Sequence, residues 1–509
     1  MKDFIKKNYV KIIFIFFIVI GIVIRIYGFP NTIKEMNIDE IMTAINAKLL
    51  SDTGKDMLGQ SFPVYIQGWG GQSVVISYLI AICMKIFGFT LFAVRLPTLI
   101  VSIISLFVFY DLLKKISGNK NIALIGLGLL AISPWHIIQS LFAWDCNMFP
   151  HFLLFAIDIF YTGNLKNKKA IIYLSMIFFA ITLYCYGIAI YFVPFFLLGM
   201  AIYLIKHKKI KIKDLIICIV IFLIFALPII ITFAINGLGI EKTITIFNIT
   251  LPYYKDLGRT SDMIFFSDNV LAQLVENIVY MFAVLICQND NIEWNTTPLF
   301  GTIYHITTVF SILGIIFSIK KIKDKKSNSS EFMIILWFCI SILTGIIINE
   351  TTVNRLNSIW YVLLIFASIG IYSLYEMIKN KKIYKYVLIT VYTVLFILFA
   401  IYFYTYHLER IDQSSCFSKG FYQSLTYVKN LDKNEVYYDD REVRGKLNYY
   451  IVLNYDSSKE YIRLKEEEKI KEKVENIEDD EIIIVNETIN EFDSEYEKTK
   501  IGDFAIIYK

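Results

Sequence analysis

Charge is scarce in this 509-residue chain: only 19% of its residues are Asp, Glu, Lys or Arg. Soluble domains carry about 25%. That shortage, set against 56% hydrophobic residues, excludes a cytosolic enzyme and a disordered protein. Cysteine is sparse too. The seven present are scattered and never form a CxxC pair, which supplies no structural zinc or redox motif, and the apolar excess in long blocks excludes a secreted disulfide scaffold. They read as small apolar packing residues. No GxxxxGK[ST] or GxGxxG run exists, so no nucleotide-phosphate loop is present. No two His lie at i, i+4, and no internal repeat supports an inverted-repeat transporter. No small-residue cleavage site follows the first apolar run, which makes it an uncleaved helix and not a signal peptide.

What the chain does have is long apolar blocks, with a mean hydropathy of +0.56. A spanning helix needs about 20 mostly apolar residues. Eleven segments fit as spans once the basic loops are taken as the check: 12–29, 92–113, 121–139, 149–163, 170–186, 187–205, 214–234, 301–319, 332–349, 357–378 and 386–406. Lysines cluster at 2–11, 114–120, 166–169, 206–213, 320–326 and 379–385, alternating with loops poor in Lys and Arg. Basic residues mark the cytoplasmic side. The N-terminus is therefore expected inside and the C-terminal region outside, in a multi-pass protein of the cell membrane. The alternation holds only if two further apolar stretches do not cross. These are 73–89, which carries Lys85, and 271–287, which Glu276 interrupts; both are expected to lie on or dip into the outer leaflet. Arg25, near the end of the first span, is expected to snorkel to the outer interface.

The long loops, 30–91 and 235–300, then fall on the outer face of a membrane domain covering 1–408. Residues 409–509 change character, with 16 Lys/Arg against 24 Asp/Glu, while the rest of the chain has 34 against 21. The basic excess is membrane-embedded and reads as an orientation signal, not as a nucleic-acid patch. EVYYDD, DEIIIVNE and DFAIIYK read as strands and KEEEKIKEKVENI as a polar helix, so a small extracytoplasmic α/β domain is expected.

Four outer-face stretches carry chemistry. Asp39 and Glu40 are adjacent carboxylates at the start of an amphipathic segment just past the first span. They either complement a helix dipole or place a general base at the bilayer surface, where desolvation raises its pKa. Asp145 lies in an aromatic turn between two spans, flanked by His136 and His151. It is either a helix cap or a functional carboxylate. Arg355, alone in an Asn- and Thr-rich outer loop, suits a bidentate grip on phosphate or an anchor in the headgroups, and Arg95 has the same two readings. Glu293, Trp294 and Asn295 precede a span, where Trp is either a belt residue or a sugar-stacking surface.

At these places the chain resembles the family 39, GT-C-type membrane glycosyltransferases. This superfamily includes the protein O-mannosyltransferases and the bacterial aminoarabinose–lipid A transferases. The likeness rests on NIDE at 37–40, GKDMLGQSFPVYIQGWGGQS at 54–73, KIFGFTLFAVRLP at 85–97, SPWHIIQS at 133–140, and Asp145. The resemblance implies a GT-C-like bundle with an outward C-terminal domain. It also implies transfer of a sugar from a polyprenyl-phosphate carrier to an acceptor protein, glycan or lipid. Asp39 takes the place of the catalytic base, Glu40 completes the motif, and Asp145 matches a second acidic position. Arg355 stands near the place of an outer-mouth Arg that serves the donor phosphate. Two departures accompany the match. Leu141 stands where many bacterial members have Arg, and Tyr184, Cys185 and Tyr186 stand where the lipid A transferases have Lys. No cofactor is expected, because Arg can neutralise the phosphate, although a carboxylate-bound cation is compatible with the same residues. Two other classes stay open: a flippase or transporter of lipid-linked sugars, and a non-catalytic envelope assembly protein. Asp158, inside the fourth span, is the acidic residue that a transporter would need in mid-membrane, and it reads as a buried polar residue.

Overall fold

The computed structural model describes residues 2–412 except 34, 67–70, 256–262 and 325–328. Beyond 412 it describes 414, 417, 420, 423–424, 427–428, 431, 435–439, 470–471, 481–486, 497–502 and 504–508. The helices run α1 (Lys2–Ile26), α2 (Ile38–Thr53), α3 (Val75–Phe87), α4 (Leu91–Ser117), α5 (Lys120–Ala131), α6 (Pro134–Gln139), α7 (Asp145–Leu165) and α8 (Lys169–Thr182). Then come α9 (Ala189–Lys206), α10 (Ile212–Gly237), α11 (Val270–Cys287), α12 (His305–Lys323), α13 (Ser329–Ile347), α14 (Asn357–Met377), α15 (Lys381–Tyr402) and α16 (Leu408–Asp412). Two short hairpins, β1 (Tyr65–Ile66) with β2 (Gln72–Ser73) and β3 (Ile244–Ile246) with β4 (Ile249–Leu251), sit in the long loops.

Polar ties sort the helix ends into two faces. On one face Tyr9 Oη donates to Asn121 Oδ1 (3.3 Å), and Lys115 Nζ pairs with Asp158 (2.8 Å). Lys169 pairs with Asp214 (2.8 Å) and Lys321 with Glu331 on the same face. Asp158 is thus an ion-pair partner at the lysine-rich face, which leaves it no mid-membrane role. On the opposite face Trp135 N donates to Thr302 O (2.8 Å), Ser73 N to Asp145 Oδ2 (3.1 Å) and Val75 N to Tyr184 O (3.2 Å).

Nine helices among the described residues are long and apolar enough to cross a membrane, α11 among them. Contacts give α11 another course. Its Asn277 Nδ2 donates to Ile346 O (2.9 Å) at the end of α13, and Gln288, just past its last residue, accepts from Thr302 N (3.0 Å) before α12. Both anchors belong to the site face, so α11 lies along that face. Likewise α3 starts against Tyr184 O and ends with Phe87 against Phe92 (5.2 Å) at the head of α4. The short helices α5 and α8, with 12 and 14 residues, nevertheless join the two faces, as does the mostly buried α7. With α7, α8 and the α5–α6 pair as crossings and α11 as none, the bundle has the eleven traverses expected from the sequence.

The α5–α6 crossing is broken at 132–133, where Pro134 starts α6. Proline cannot continue the α5 hydrogen-bond ladder, so the last carbonyls of α5 need other donors. Arg25 supplies them, which overturns the snorkelling expectation. Its side chain is fully buried; Nη1 donates to Ala131 O (3.0 Å) and Nη2 to Leu130 O (3.1 Å), while Nε donates to His136 Nδ1 (3.1 Å). From His136 the chain of contacts continues through Tyr361 Oη (3.0 Å) to His151 Nδ1 (2.7 Å). The core lies around α14, whose Gly370 crosses Gly314 of α12 so closely that a Cβ on Gly370 would sit 2.1 Å from Phe310 O. Small residues at such crossings let membrane helices approach backbone to backbone.

In the C-terminal region β5 (Glu435–Asp439), β6 (Ile470–Lys471), β7 (Glu481–Asn486), β8 (Glu497–Ile501) and β9 (Phe504–Tyr508) form one sheet in the order β6-β5-β7-β9-β8. β5 runs parallel to β6 and β7, and β9 antiparallel to β7 and β8. The three expected strands are present. The expected helix KEEEKIKEKVENI contains β6, and its other residues lie outside those described. β8, EKTKI, is the strand with no apolar run to announce it.

Candidate active site

Asn37 caps α2: its side chain accepts from Asp39 N (2.9 Å), which sets Asp39 and Glu40 in the first turn. Adjacent helical residues point about 100° apart, and here they part company. Asp39 is exposed on the site face, while Glu40 is fully buried.

Glu40 meets Arg95, from the first turns of α4. Arg95 Nε donates to Glu40 Oε1 (2.9 Å) and Nη2 to Oε2 (2.8 Å), the bidentate geometry that a guanidinium favours. The other donors go to Glu35 O (2.9 Å), Pro30 O (2.9 Å) and Ile33 O. All five N–H groups of Arg95 are engaged, so none is left for a phosphate. Glu40 Oε1 also accepts from Ala143 N (3.0 Å) in the turn that leads to Asp145. The pair thus ties the loop after α1, the head of α4 and the aromatic turn to one another.

Asp145 opens α7. Its Oδ1 accepts from Cys146 N (2.7 Å) and its Oδ2 from Ser73 N (3.1 Å) on β2. From β2 a polar path returns to Asp39: Gln72 Nε2 donates to Thr43 Oγ1, whose hydroxyl donates to Asp39 O (2.8 Å). Around this path Gln72 Oε1, Ser73 Oγ and Trp144 Nε1 are buried and lack a hydrogen-bond partner among the described residues. Buried atoms in that state cost about 1–3 kcal/mol each, which a polar ligand reaching them would recover. Gln72 and Ser73 end the 54–73 loop, and nothing in the sequence sets them apart from the other polar residues of that loop. Their polarity was visible; their approach to Asp145 depends on the β1–β2 pairing.

Arg355 is half-buried in the loop between α13 and α14; its N donates to Thr352 Oγ1 (3.2 Å) and its Nη1 to Asn349 O. The neighbouring Asn354 joins a side-chain chain. Gln139 Nε2 donates to Asn354 Oδ1 (2.7 Å), Asn354 Nδ2 to Asn295 Oδ1 (2.7 Å) and Asn295 Nδ2 to Asp290 Oδ2 (2.7 Å). Burial raises the Asp290 carboxyl above its ordinary range, against the pull of its donors Val353 N, Asn295 Nδ2 and Ile292 N. Asn147 Nδ2 donates to Gln139 O (2.9 Å) and brings the chain to the helix that Asp145 opens. Asn295 is therefore part of the scaffold linking the Arg355 loop to Asp145.

Glu293 and Trp294 face the C-terminal region. Glu293 pairs with Arg410, and His407 Nε2 lies 2.7 Å from Glu293 O. Trp294 packs on Phe417 (5.6 Å), which also touches Phe142 (5.7 Å), and Phe142 stacks on Trp144 at 4.3 Å. Gly420 N donates to Glu35 Oε1 (2.9 Å). Asp39, Glu40, Arg95 and Asp145 are thus one assembly, with Arg355 joined through the amide chain and Glu293 and Trp294 at its border with the C-terminal region. Among the described residues no three His, Cys, Asp or Glu come together to hold a metal ion.

Residues 71–232, which include β2, Arg95 and Asp145, match the family model described as dolichyl-phosphate-mannose-protein mannosyltransferase. The fold is similar to ArnT from Cupriavidus metallidurans bound to undecaprenyl phosphate, with a TM-score of 0.58 and 8% identity over 97% of each chain. It is similar also to the apo state of the same protein, with a TM-score of 0.57 and 9% identity over 99% of this chain and 98% of that one. A third likeness is to the Archaeoglobus fulgidus oligosaccharyltransferase in its apo form, at a TM-score of 0.53 and 12% identity over 87% of this chain. The chain spans 64% of the length of that enzyme. No curated protein sequence matches the chain.

Proposed function

We infer that the chain is a GT-C-type membrane glycosyltransferase that moves a sugar from a polyprenyl-phosphate carrier to an acceptor hydroxyl on the face bearing Asp39 and Asp145. The fold is that of a protein crystallised with undecaprenyl phosphate, and the match over 71–232 is to a mannosyltransferase family. The observation that carries the reading is the pairing of an exposed carboxylate with a buried one that locks it in place. Asp39 faces the site while Glu40, one residue on, is held by Arg95 and Ala143 N.

In this reading Asp39 takes the proton of the acceptor hydroxyl as its oxygen attacks the anomeric carbon. The bond from that carbon to the carrier phosphate breaks, and polyprenyl phosphate leaves with the electron pair. The displacement is direct and inverts the anomeric centre. Arg355 faces the charge that develops on the phosphate, where a fixed guanidinium acts most strongly. Asp145 holds β2 in place through Ser73 N, and Gln72, Ser73 and Trp144 offer buried polar atoms to the sugar or acceptor. The charge stabilisation that this reaction needs comes from Arg355 without a cofactor. The acceptor is a hydroxyl of a protein, glycan or lipid. The site face is extracytoplasmic and the lysine-rich face cytoplasmic, by the bias of basic loops.

The test is sugar transfer by purified variants in nanodiscs. Asp39→Asn keeps the size of the side chain and removes the base, so the rate should fall about 10²–10⁴-fold with folding retained. Arg355→Ala should weaken binding of the polyprenyl-linked donor more than that of the acceptor. Near-normal turnover by Asp39→Asn would sink the assignment of the base.

A further inference from the structure

The β3–β4 hairpin has a tip that the protein leaves uncovered. Phe247 and Asn248 form its two-residue turn with φ of +47° and +66°. Positive φ at both central residues is a type I′ turn, which favours Asn, Asp and Gly. Phenylalanine at the first position is strained, because a bulky side chain crowds the left-handed backbone. No contact among the described residues offsets that strain, since Phe247 is 96% exposed, and Ile246 and Ile249 beside it are exposed as well. Strain held at an exposed apolar residue points to a contact outside the chain.

The hairpin sits at the mouth of a span. Asn236, in the last turn of α10, donates to Pro252 O (2.8 Å) and accepts from Tyr254 N (2.8 Å), so the returning strand is fastened to the helix end. Three-residue strands rise about 10 Å, so the tip stays within that reach of the end of α10. The outer stripe of α10, with Ile216, Val220, Leu223, Leu227 and Ile230 exposed, faces hydrocarbon in a spanning helix. Leu238, 75% exposed, extends this apolar surface past the helix end toward the hairpin.

We propose that the β3–β4 hairpin inserts its tip into the headgroup–acyl boundary of the leaflet on the site face and so anchors the site's floor to the lipid surface. Apolar side chains next to a span gain their burial there. The link to the floor is direct. Thr250 N donates to Ser61 O (3.1 Å), Val64 N donates to Thr250 O (3.0 Å), and Tyr254 Oη donates to Tyr65 O (2.9 Å). Tyr65 pairs with Ser73, whose N holds Asp145. A lipid-anchored hairpin therefore sets the height of β1–β2 and of Asp145 above the bilayer. The insertion stands apart from the transferase reading; only its effect on the donor rests on it.

The test replaces Phe247 with Trp in the full-length protein in nanodiscs and subtracts the emission of the unmodified protein, which has six Trp. The difference spectrum is expected blue-shifted, quenched by phospholipids brominated high on the acyl chain, and resistant to iodide. Iodide quenching without bromolipid quenching would overturn the proposal, because the tip would then lie in water. Resistance to both would overturn it too, because the tip would then be covered by protein. Phe247→Asn keeps a turn-compatible residue and removes the apolar tip. Its melting temperature in detergent is expected unchanged or higher, with a several-fold rise in KM for the lipid-linked donor and no rise for a soluble acceptor. Failure of the KM arm with bromolipid quenching intact would remove the link to donor access and leave the insertion standing.

Discussion

At the scale of single residues, Asp39 and Glu40 show how one turn of helix divides two identical charges. Removing the base at Asp39 should cost rate, whereas altering Glu40 should cost structure. Glu40→Gln leaves the fully engaged, buried Arg95 guanidinium without its counter-charge. Breaking such a pair from one side costs about 3–5 kcal/mol. The variant should show a lower melting temperature and a reduced yield in the membrane, while Asp39→Asn melts with the unmodified protein. A Glu40→Gln protein that melts normally yet turns over slowly would instead return Glu40 to the chemistry. Arg95 resembles Arg355 as a residue type in an outer-face position, but its five donors are spent on Glu40 and three carbonyl groups. Residue type and position cannot tell an anchor from a phosphate ligand; the partners do.

At the scale of elements, the deciding features are breaks and crossings. The α5–α6 break works because Arg25, from another helix, caps the carbonyls that Pro134 releases. It turns Gln139 toward the Arg355 loop, where it bonds Asn354. The α12–α14 crossing depends on two glycines in contact. A methyl group at Gly370 would meet Phe310 O at 2.1 Å, a backbone atom that cannot rotate away. Gly370→Ala should therefore push the helices apart and lower the thermal stability by about 1–3 kcal/mol, the usual cost of overpacking. The comparison is Gly187→Ala, where no atom lies within 4 Å of the added Cβ. Equal melting temperatures for the two variants in detergent would show that the crossing is not so tight.

At the scale of the whole molecule, the two faces have different chemistry. The lysine-rich turns hold short ion pairs, and the opposite face holds α3, α11, the hairpins, the Asp39–Asp145 assembly and the contacts to the C-terminal region. The orientation proposed here puts position 167 inside and position 238 outside. Cysteines introduced at Asn167 and Leu238 should react with a membrane-impermeant maleimide in opposite ways in intact cells, 238 labelled and 167 protected. The reverse pattern would invert the protein, and labelling of both would break the two-face division.

Much of this was legible in the linear chain, because a bilayer converts composition directly into geometry. Apolar blocks of about 20 residues and alternating lysine loops suffice to place the crossings. The same alternation kept 73–89 and 271–287 on the surface, a course that the contacts of α3 and α11 follow. The carboxylates at 39, 40 and 145 stood out because charge is rare here. Their division of labour did not, since it depends on which side of α2 faces Arg95 and which faces outward. Arg25 was misread for the same reason: a charged side chain near a span end reaches water unless a neighbouring helix offers bare carbonyls, and only packing reveals those. Gln72, Ser73 and Trp144 are legible in the sequence only as polar or aromatic loop residues, because their buried, unpartnered atoms exist only once β1–β2 and the aromatic turn meet. Solvent partition along one chain settled the crossings; contacts between residues as much as 385 positions apart, such as Gly420 with Glu35, decided the site.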